Sequence, residues 1–281
     1  MPRHRTNEPN RRFHDRVAAR YDTIYDDPFW EFHDRITWNH LKHFLPTNAG
    51  GAGAAVMDLG CGTGKWGLKL LKAGYATTFS DLSPKMLEEV QKKLDTWAAT
   101  PDLAGKAARA TVQQADAVDL RAFPEGHFEL ITAMGDVVSI CSDAGRCLSE
   151  VHRLLKPEGV FVFTVDNHLA AIEHFIDSGN LEALAVFVKT GRTEWLTKNV
   201  AERFAVHMFT PAQIEGLVKR NGFTVISRIG KTVIPARQNR KLLEEPGAIE
   251  TLVELETLLQ KDPGAAARAS HFQIAARRVT A

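Results

Sequence analysis

The chain has 281 residues, 44% of them hydrophobic and 25% charged, which is enough apolar material for one sizeable core with additions. With 35 Lys and Arg against 34 Asp and Glu, its net charge of +1 supplies no global field for drawing in a polyanion or an anionic membrane. Cys61, Cys141 and Cys147 lack CxxC spacing, which argues against a disulfide framework or a zinc knuckle, and no apolar run suits a signal peptide or a bilayer span, so a cytoplasmic protein is expected.

Residues 1–12 are polar and arginine-rich, a composition that buries no core, and are expected to form a flexible basic tail. Residues 13–50 form a helical cap segment in this reading: apolar positions from Phe13 to Leu45 recur at helical spacing with a break near Asp27-Pro28, giving two helices before a Gly/Ala-rich linker. From residue 51 to 281 the pattern is that of an α/β core. Strands are expected at Ala55–Asp58, Ala76–Ser80, Ala110–Gln114, Phe128–Ala133 and Val160–Val165, with helices at Lys65–Ala73, Pro84–Ala98 and Asp143–Leu155 between them. Such alternation predicts a doubly wound, mostly parallel sheet.

Two stretches are too long to be simple connections. Residues 168–207 read as short helices inserted over the sheet's active edge, before a helix that starts at Thr210. After a strand at Thr224–Ile229, residues 238–270 form a second insertion with Leu252, Leu255, Leu258 and Leu259 on one helix face, and HFQIAARR closes the chain as a final strand.

The strand-to-helix turn DLGCGTG places Gly60, Gly62 and Gly64 where the backbone can approach a ligand. A dinucleotide fold has GxGxxG at this turn, whereas here the spacing is GxGxG. Asp81 ends the second strand, where a carboxylate accepts hydrogen bonds from ribose hydroxyls in either kind of nucleotide fold. Asp116 ends the third, where it would read an adenine amine, and Asp58, Asp81 and Asp116 share the sheet edge that binds ligands in open α/β folds.

With these residues, Ser83-Pro84-Lys85-Met86-Leu87, Phe128-Glu129-Leu130-Ile131 and Leu154-Leu155-Lys156-Pro157-Glu158-Gly159, the chain resembles the class I S-adenosylmethionine-dependent methyltransferases of the small-molecule type over residues 55 to 165. The resemblance implies a Rossmann-like, seven-stranded fold with its N-terminal helices and insertions forming a cap. It implies that Asp58 holds the cofactor's ammonium group through the loop, that Gly60, Cys61, Gly62 and Gly64 pass its methionine portion and that Asp81 binds the ribose. Asp116 and Ala117 would contact adenine, with Leu82 and Met86 packed on it. Met134 would line the site, and Tyr21 and Tyr25 would close over the cofactor as in small-molecule methyltransferases. Glu129 stands where the family usually has aspartate.

Methyl transfer from a sulfonium needs alignment and water exclusion above all. Where an acceptor must lose a proton, Asp136 after the fourth strand and His168 after the fifth are the candidate bases, because strand-end loops carry the chemistry of an open sheet. His207 reads as a packed histidine. Trp30, Trp38 and Trp195 would serve a pocket or the core, and no HExxH or comparable grouping exists, so no metal site is expected. The acceptor is expected to be a small organic molecule, methylated at oxygen or nitrogen, with no membrane and no nucleic acid as partner. An RNA or protein methyltransferase and a nonenzymatic cofactor-binding regulator are the alternatives.

Overall fold

The computed structural model describes residues 7–47, 54–195, 197–260 and 262–279. Helices α1 (Glu8–Val17), α2 (Tyr21–Ile24) and α3 (Pro28–Leu41) precede the core. The core begins β1 (Ala55–Leu59), α4 (Lys65–Lys72), β2 (Ala76–Asp81), α5 (Pro84–Ala98), α6 (Pro101–Ala107), β3 (Ala110–Gln114) and β4 (Phe128–Ala133). It continues with α7 (Val137–Ile140), α8 (Ala144–Leu154) and β5 (Leu155–Asp166). The first insertion holds α9 (Ile172–Asp177), α10 (Leu181–Thr190), β6 (Arg192–Trp195) and β7 (Phe204–His207). Then come α11 (Pro211–Arg220), β8 (Phe223–Lys231), α12 (Ala248–Leu259), α13 (Pro263–Ala266) and β9 (His271–Arg278).

Seven strands form one sheet in the order β3-β2-β1-β4-β5-β9-β8. The first five run parallel, and β9 lies antiparallel between β5 and β8. This is the mostly parallel, doubly wound architecture expected. Side-chain alternation along β5 sends Phe161 and Phe163 to one face, against Leu148 and Val151 of α8 and Ile214 and Val218 of α11. Val162 points the other way, with Val56 and Leu130, toward Leu41 of α3 and Trp66 and Leu70 of α4. Both faces are therefore covered, as a parallel sheet requires.

Local chemistry sets the helix starts. The Ser83 hydroxyl accepts from the Met86 N–H at 3.1 Å with Pro84 in the first turn, and Asp143 accepts from the Arg146 N–H at 3.0 Å. Thr210 and Gln213 complete a capping box on α11.

The structure departs from the sequence reading in several places. The tail was expected to reach residue 12, but α1 begins at Glu8, because Glu8 pairs with Arg11 and Arg12 and Arg11 with Asp15 at helical spacing. Residues 1–6 and most of the Gly/Ala linker lie outside the described residues. The first insertion contains a β-hairpin as well as helices: β6 pairs antiparallel with β7, bringing Trp195 opposite Phe204. The Lys156–Gly159 turn is absorbed into β5, with Glu158 at φ 63°. Of the four leucines expected on one face, only Leu252 is buried, while Leu258 is 65% exposed. Glu256 takes the inward position instead and accepts from the N–H groups of Val233 and Ile234 at 2.7 and 2.9 Å.

Candidate functional site

The ends of β1, β2 and β4 and the loop after β3 meet at one edge of the sheet, and α1 and α2 lie across it. A cleft with about 80 Å³ of enclosed space opens there, lined among others by Asn7, His14, Tyr21, Gly60, Gly62, Asp81, Leu82, Asp116, Ala117, Met134 and Val137.

The glycine loop is held from both sides. Gly60, Gly62 and Gly64 take positive φ values of 64°, 53° and 91°, where a side chain is strained. A Cβ on Gly60 would stand 2.3 Å from a methyl of Val137, so only glycine fits between loop and α7. Below the loop, Asp58 accepts from the Gly67 N–H at 2.7 Å and from the Thr132 hydroxyl at 2.9 Å. Burial raises its carboxyl pKa to about 7 against the pull of those two donors. Above the loop, Asp22 of α2 accepts from the Thr63 hydroxyl and pairs with Lys93 at 2.6 Å.

Asp81 is the polar centre of the cleft. One carboxylate oxygen accepts from the Gly62 N–H and the other from the Ser83 N–H, each at 2.8 Å. Burial raises its pKa, while His14 and the N–H donors pull it back toward the ionised form. A carboxylate has about four lone-pair positions, so about two remain for a pair of vicinal hydroxyls. Asp116 accepts from the Asn7 side chain on both oxygens, at 2.9 and 2.8 Å, and from the Val118 N–H at 3.1 Å. Helix α1 thereby latches over that end of the cleft, and a hydrogen bond from Ser83 Oγ to Asp15 at 2.6 Å holds its other side.

The residues singled out in the sequence do not all meet here. Tyr21, Gly60, Gly62, Asp81, Leu82, Asp116, Ala117 and Met134 line the cleft. Asp58 lies beneath the loop. Cys61 turns inward to Leu71, Phe79 and Leu87, and Gly64 starts α4. Met86 is fully buried against Val17 and Ala18 of the covering segment. The Tyr25 ring leans on Tyr21 at 4.8 Å and borders a neighbouring groove with Asp34 and Lys65. Burial pushes both phenols up, so both keep their protons. Asp136, between the cleft-lining Gly135 and Val137, adopts φ 62°. His168 is buried edge-on to Phe187 at 4.7 Å, and neither ring nitrogen has a hydrogen-bond partner. His207 is held down to a pKa of about 4 by burial, in keeping with a packed residue. Sequence reasoning missed Asn7, Asn10 and His14, whose spacing of three and four puts them on one face of α1.

The lining chemistry fits an adenosyl cofactor: open lone pairs on Asp81 for ribose hydroxyls, an apolar wall of Leu82 and Ala117, and glycines where a side chain would intrude. Gly60→Ala is expected to destabilise the protein by about 2 kcal/mol through strain and the Val137 clash, and chemical denaturation checks it.

A family described as methyltransferase domain matches residues 56–159. A demethylmenaquinone methyltransferase from Symbiobacterium thermophilum is 33% identical over 54% of this chain and 57% of its own. An uncharacterized protein from Methanocaldococcus jannaschii is 25% identical over 82% of each chain. For several of the curated relatives the match spans about half of their length. Among solved structures, phosphoethanolamine N-methyltransferase 2 from Haemonchus contortus, in complex with S-adenosyl-L-methionine, shares the fold. Its TM-score is 0.57 at 21% identity, covering 95% of this chain and 57% of that one. The matched segment runs from β1 through the turn in β5 and contains the glycine loop, Asp81 and Asp116, so over these residues the chain is similar to a methyltransferase domain.

Proposed function

We propose that the protein methylates a small organic acceptor at oxygen or nitrogen. The observation that carries this reading is the cleft in which Asp81, Asp116 and the glycine loop lie beneath α1 and α2. When bound, S-adenosylmethionine supplies an electrophilic methyl group, whose carbon–sulfur bond breaks as the acceptor's lone pair attacks.

The protein's own work is to hold and to exclude. Gly62 and Asp81 fix the ribose side, Asp116 and Ala117 the adenine side, and Tyr21 shields the cleft from water. Asp58 acts through the loop, by locking β1 to the start of α4. Asp136 is the acceptor-side residue of this reading, since its neighbours on both sides line the cleft. His168 is set aside, because its ring packs within the insertion against Phe187.

The cap supports this acceptor class. Phe13, Trp195 and Phe204 pack together where α1 meets the hairpin, and Arg16 of α1 pairs with buried Glu202 at 2.7 Å, so α1, which borders the cleft, is braced by the first insertion. A cleft bordered by such a braced helix suits a small molecule. The relative named for its acceptor, demethylmenaquinone, fits that size class. No helix among the described residues is long and apolar enough to cross a membrane.

The test is incubation of the chain with methyl-labelled S-adenosylmethionine and panels of phenols, quinols, amines, tRNA and protein. Label should enter a small phenol, quinol or amine. Label in tRNA or protein alone would overturn the acceptor class, and binding without any turnover would make the chain a nonenzymatic regulator.

A further inference from the structure

Beside the cleft, three strand ends converge on a polar cluster that the adenosyl site does not use. Asp136 follows β4, Asp166 closes β5 and His271 opens β9. Nε2 of His271 stands 3.6 Å from Oδ2 of Asp136 and 3.5 Å from Oδ1 of Asp166, and one ligand atom from each residue lies within 4.8 Å of the other two. These separations are long for hydrogen bonds, whose donor–acceptor distances run about 2.7–3.2 Å. They stand at the wide end of what two ligands of one ion show: atoms about 2.1–2.2 Å from a common centre lie roughly 3.0–3.6 Å apart at octahedral to tetrahedral angles.

The three side chains are held by neighbours that take no part in the cluster. The Gly135 and Asp136 N–H groups both donate to the Thr164 hydroxyl, at 3.1 and 3.0 Å, which holds Asp136 at its left-handed φ of 62°. The Ser139 hydroxyl accepts from the Asp166 backbone N–H at 3.0 Å and also hydrogen-bonds to the Asp166 carboxyl group. The Asn167 amide donates to the carbonyls of Ala267 and Ala269, which anchors the chain just before His271. Asp136 Oδ1 and His271 Nδ1 are buried with no hydrogen-bond partner. The atoms that face the cluster are the others, Asp136 Oδ2 and His271 Nε2, so each of these two side chains is free of competing partners on its remaining polar atom.

The buried Lys231 ammonium lies near the carboxyl groups of Asp136, Asp34 and Asp166. The buried ammonium weakens the site for any cation, so a monovalent ion has little to gain there and a divalent one more. Two carboxylate oxygens favour a hard cation, and the imidazole favours manganese over calcium.

We propose that Asp136, Asp166 and His271 form a divalent-metal site of the Mn²⁺ or Mg²⁺ class, placed beside the cleft so that its open coordination positions face the acceptor. The binding of the ion stands on this geometry alone, whereas its use in presenting an acceptor oxygen rests on the methyltransferase reading. No motif announces the site, because its ligands are scattered over 136 residues of sequence and only the sheet order brings them together.

The experiment is titration of the untagged full chain with Mn²⁺, followed by electron paramagnetic resonance. One Mn²⁺ per chain is expected, with affinity reduced roughly tenfold or more in Asp166→Asn and in His271→Gln. Should a variant fail to fold, electron spin-echo spectra of the wild-type protein decide the matter: bound Mn²⁺ should show the nitrogen coupling of an imidazole ligand. No saturable binding, binding unchanged in both folded variants, or bound Mn²⁺ without nitrogen coupling would overturn the proposal. Calorimetry with S-adenosylmethionine runs separately, so a chain that binds Mn²⁺ but no cofactor would refute the methyltransferase reading and leave the metal site standing.

Discussion

Asp81→Ala is expected to weaken S-adenosylmethionine binding by roughly a hundredfold, read by isothermal titration calorimetry. The magnitude follows from what the carboxylate does. Hydrogen bonds to a charged group contribute about 1.5–3 kcal/mol each, and two ribose hydroxyls would share the lone pairs that Gly62 and Ser83 leave open. Water entering the shortened site restores part of that, so a loss of about 3 kcal/mol is the expected remainder. The same substitution also strands the Gly62 and Ser83 N–H groups, which loosens the loop. Asp81→Asn separates the two effects. Its carbonyl oxygen still serves one N–H while its amide cannot accept from a hydroxyl, so binding should fall between wild type and the alanine variant. Unchanged affinity in a folded Asp81→Ala protein would remove Asp81 from the ribose site.

What could be read in advance was whatever depends on neighbours in sequence. The glycine loop, the strand-end acids Asp81 and Asp116 and the helix starts at Ser83 and Thr210 each have their cause within a few residues, and the strand pattern sets the sheet around them. The cover over the cleft has no such local cause. Arginine-rich composition argued for a frayed tail, yet Glu8, Arg11, Arg12 and Asp15 pair along one helix, and Asn7 at its start reaches Asp116, 109 residues away. Met86 and Cys61 show the same limit from the other side. Their spacing puts them near the cofactor loop, but α1 claims Met86, and the packing of α4, β2 and α5 claims Cys61. The hairpin of β6 and β7 was hidden because its aromatic spacing also satisfies a helix, and only the pairing of Trp195 with Phe204 resolves it.

The stability of the fold should depend on pH through Asp58 more than through any surface ion pair. Its carboxyl sits at a pKa of about 7 when folded, against an ordinary value of 3.8, because burial at 1% exposure disfavours the charged form. Between about pH 4 and 7 the folded protein therefore holds a proton that the unfolded chain has released. Since stability falls with rising pH wherever the folded state binds more protons, this group makes the protein less stable as pH climbs through that window, levelling off above it. A shift of this size corresponds to on the order of 4 kcal/mol across the window. Asp58→Asn should abolish the slope without dismantling the site: its carbonyl can accept from Gly67, and its amide can donate to Thr132, whose hydroxyl then turns to the Met57 carbonyl 3.3 Å away. Urea denaturation of both proteins at pH 5, 6, 7 and 8 measures the difference. The variant should gain on the wild type from pH 5 to about 7 and level off by pH 8; parallel curves would mean that Asp58 is ionised throughout and that its two donors outweigh its burial.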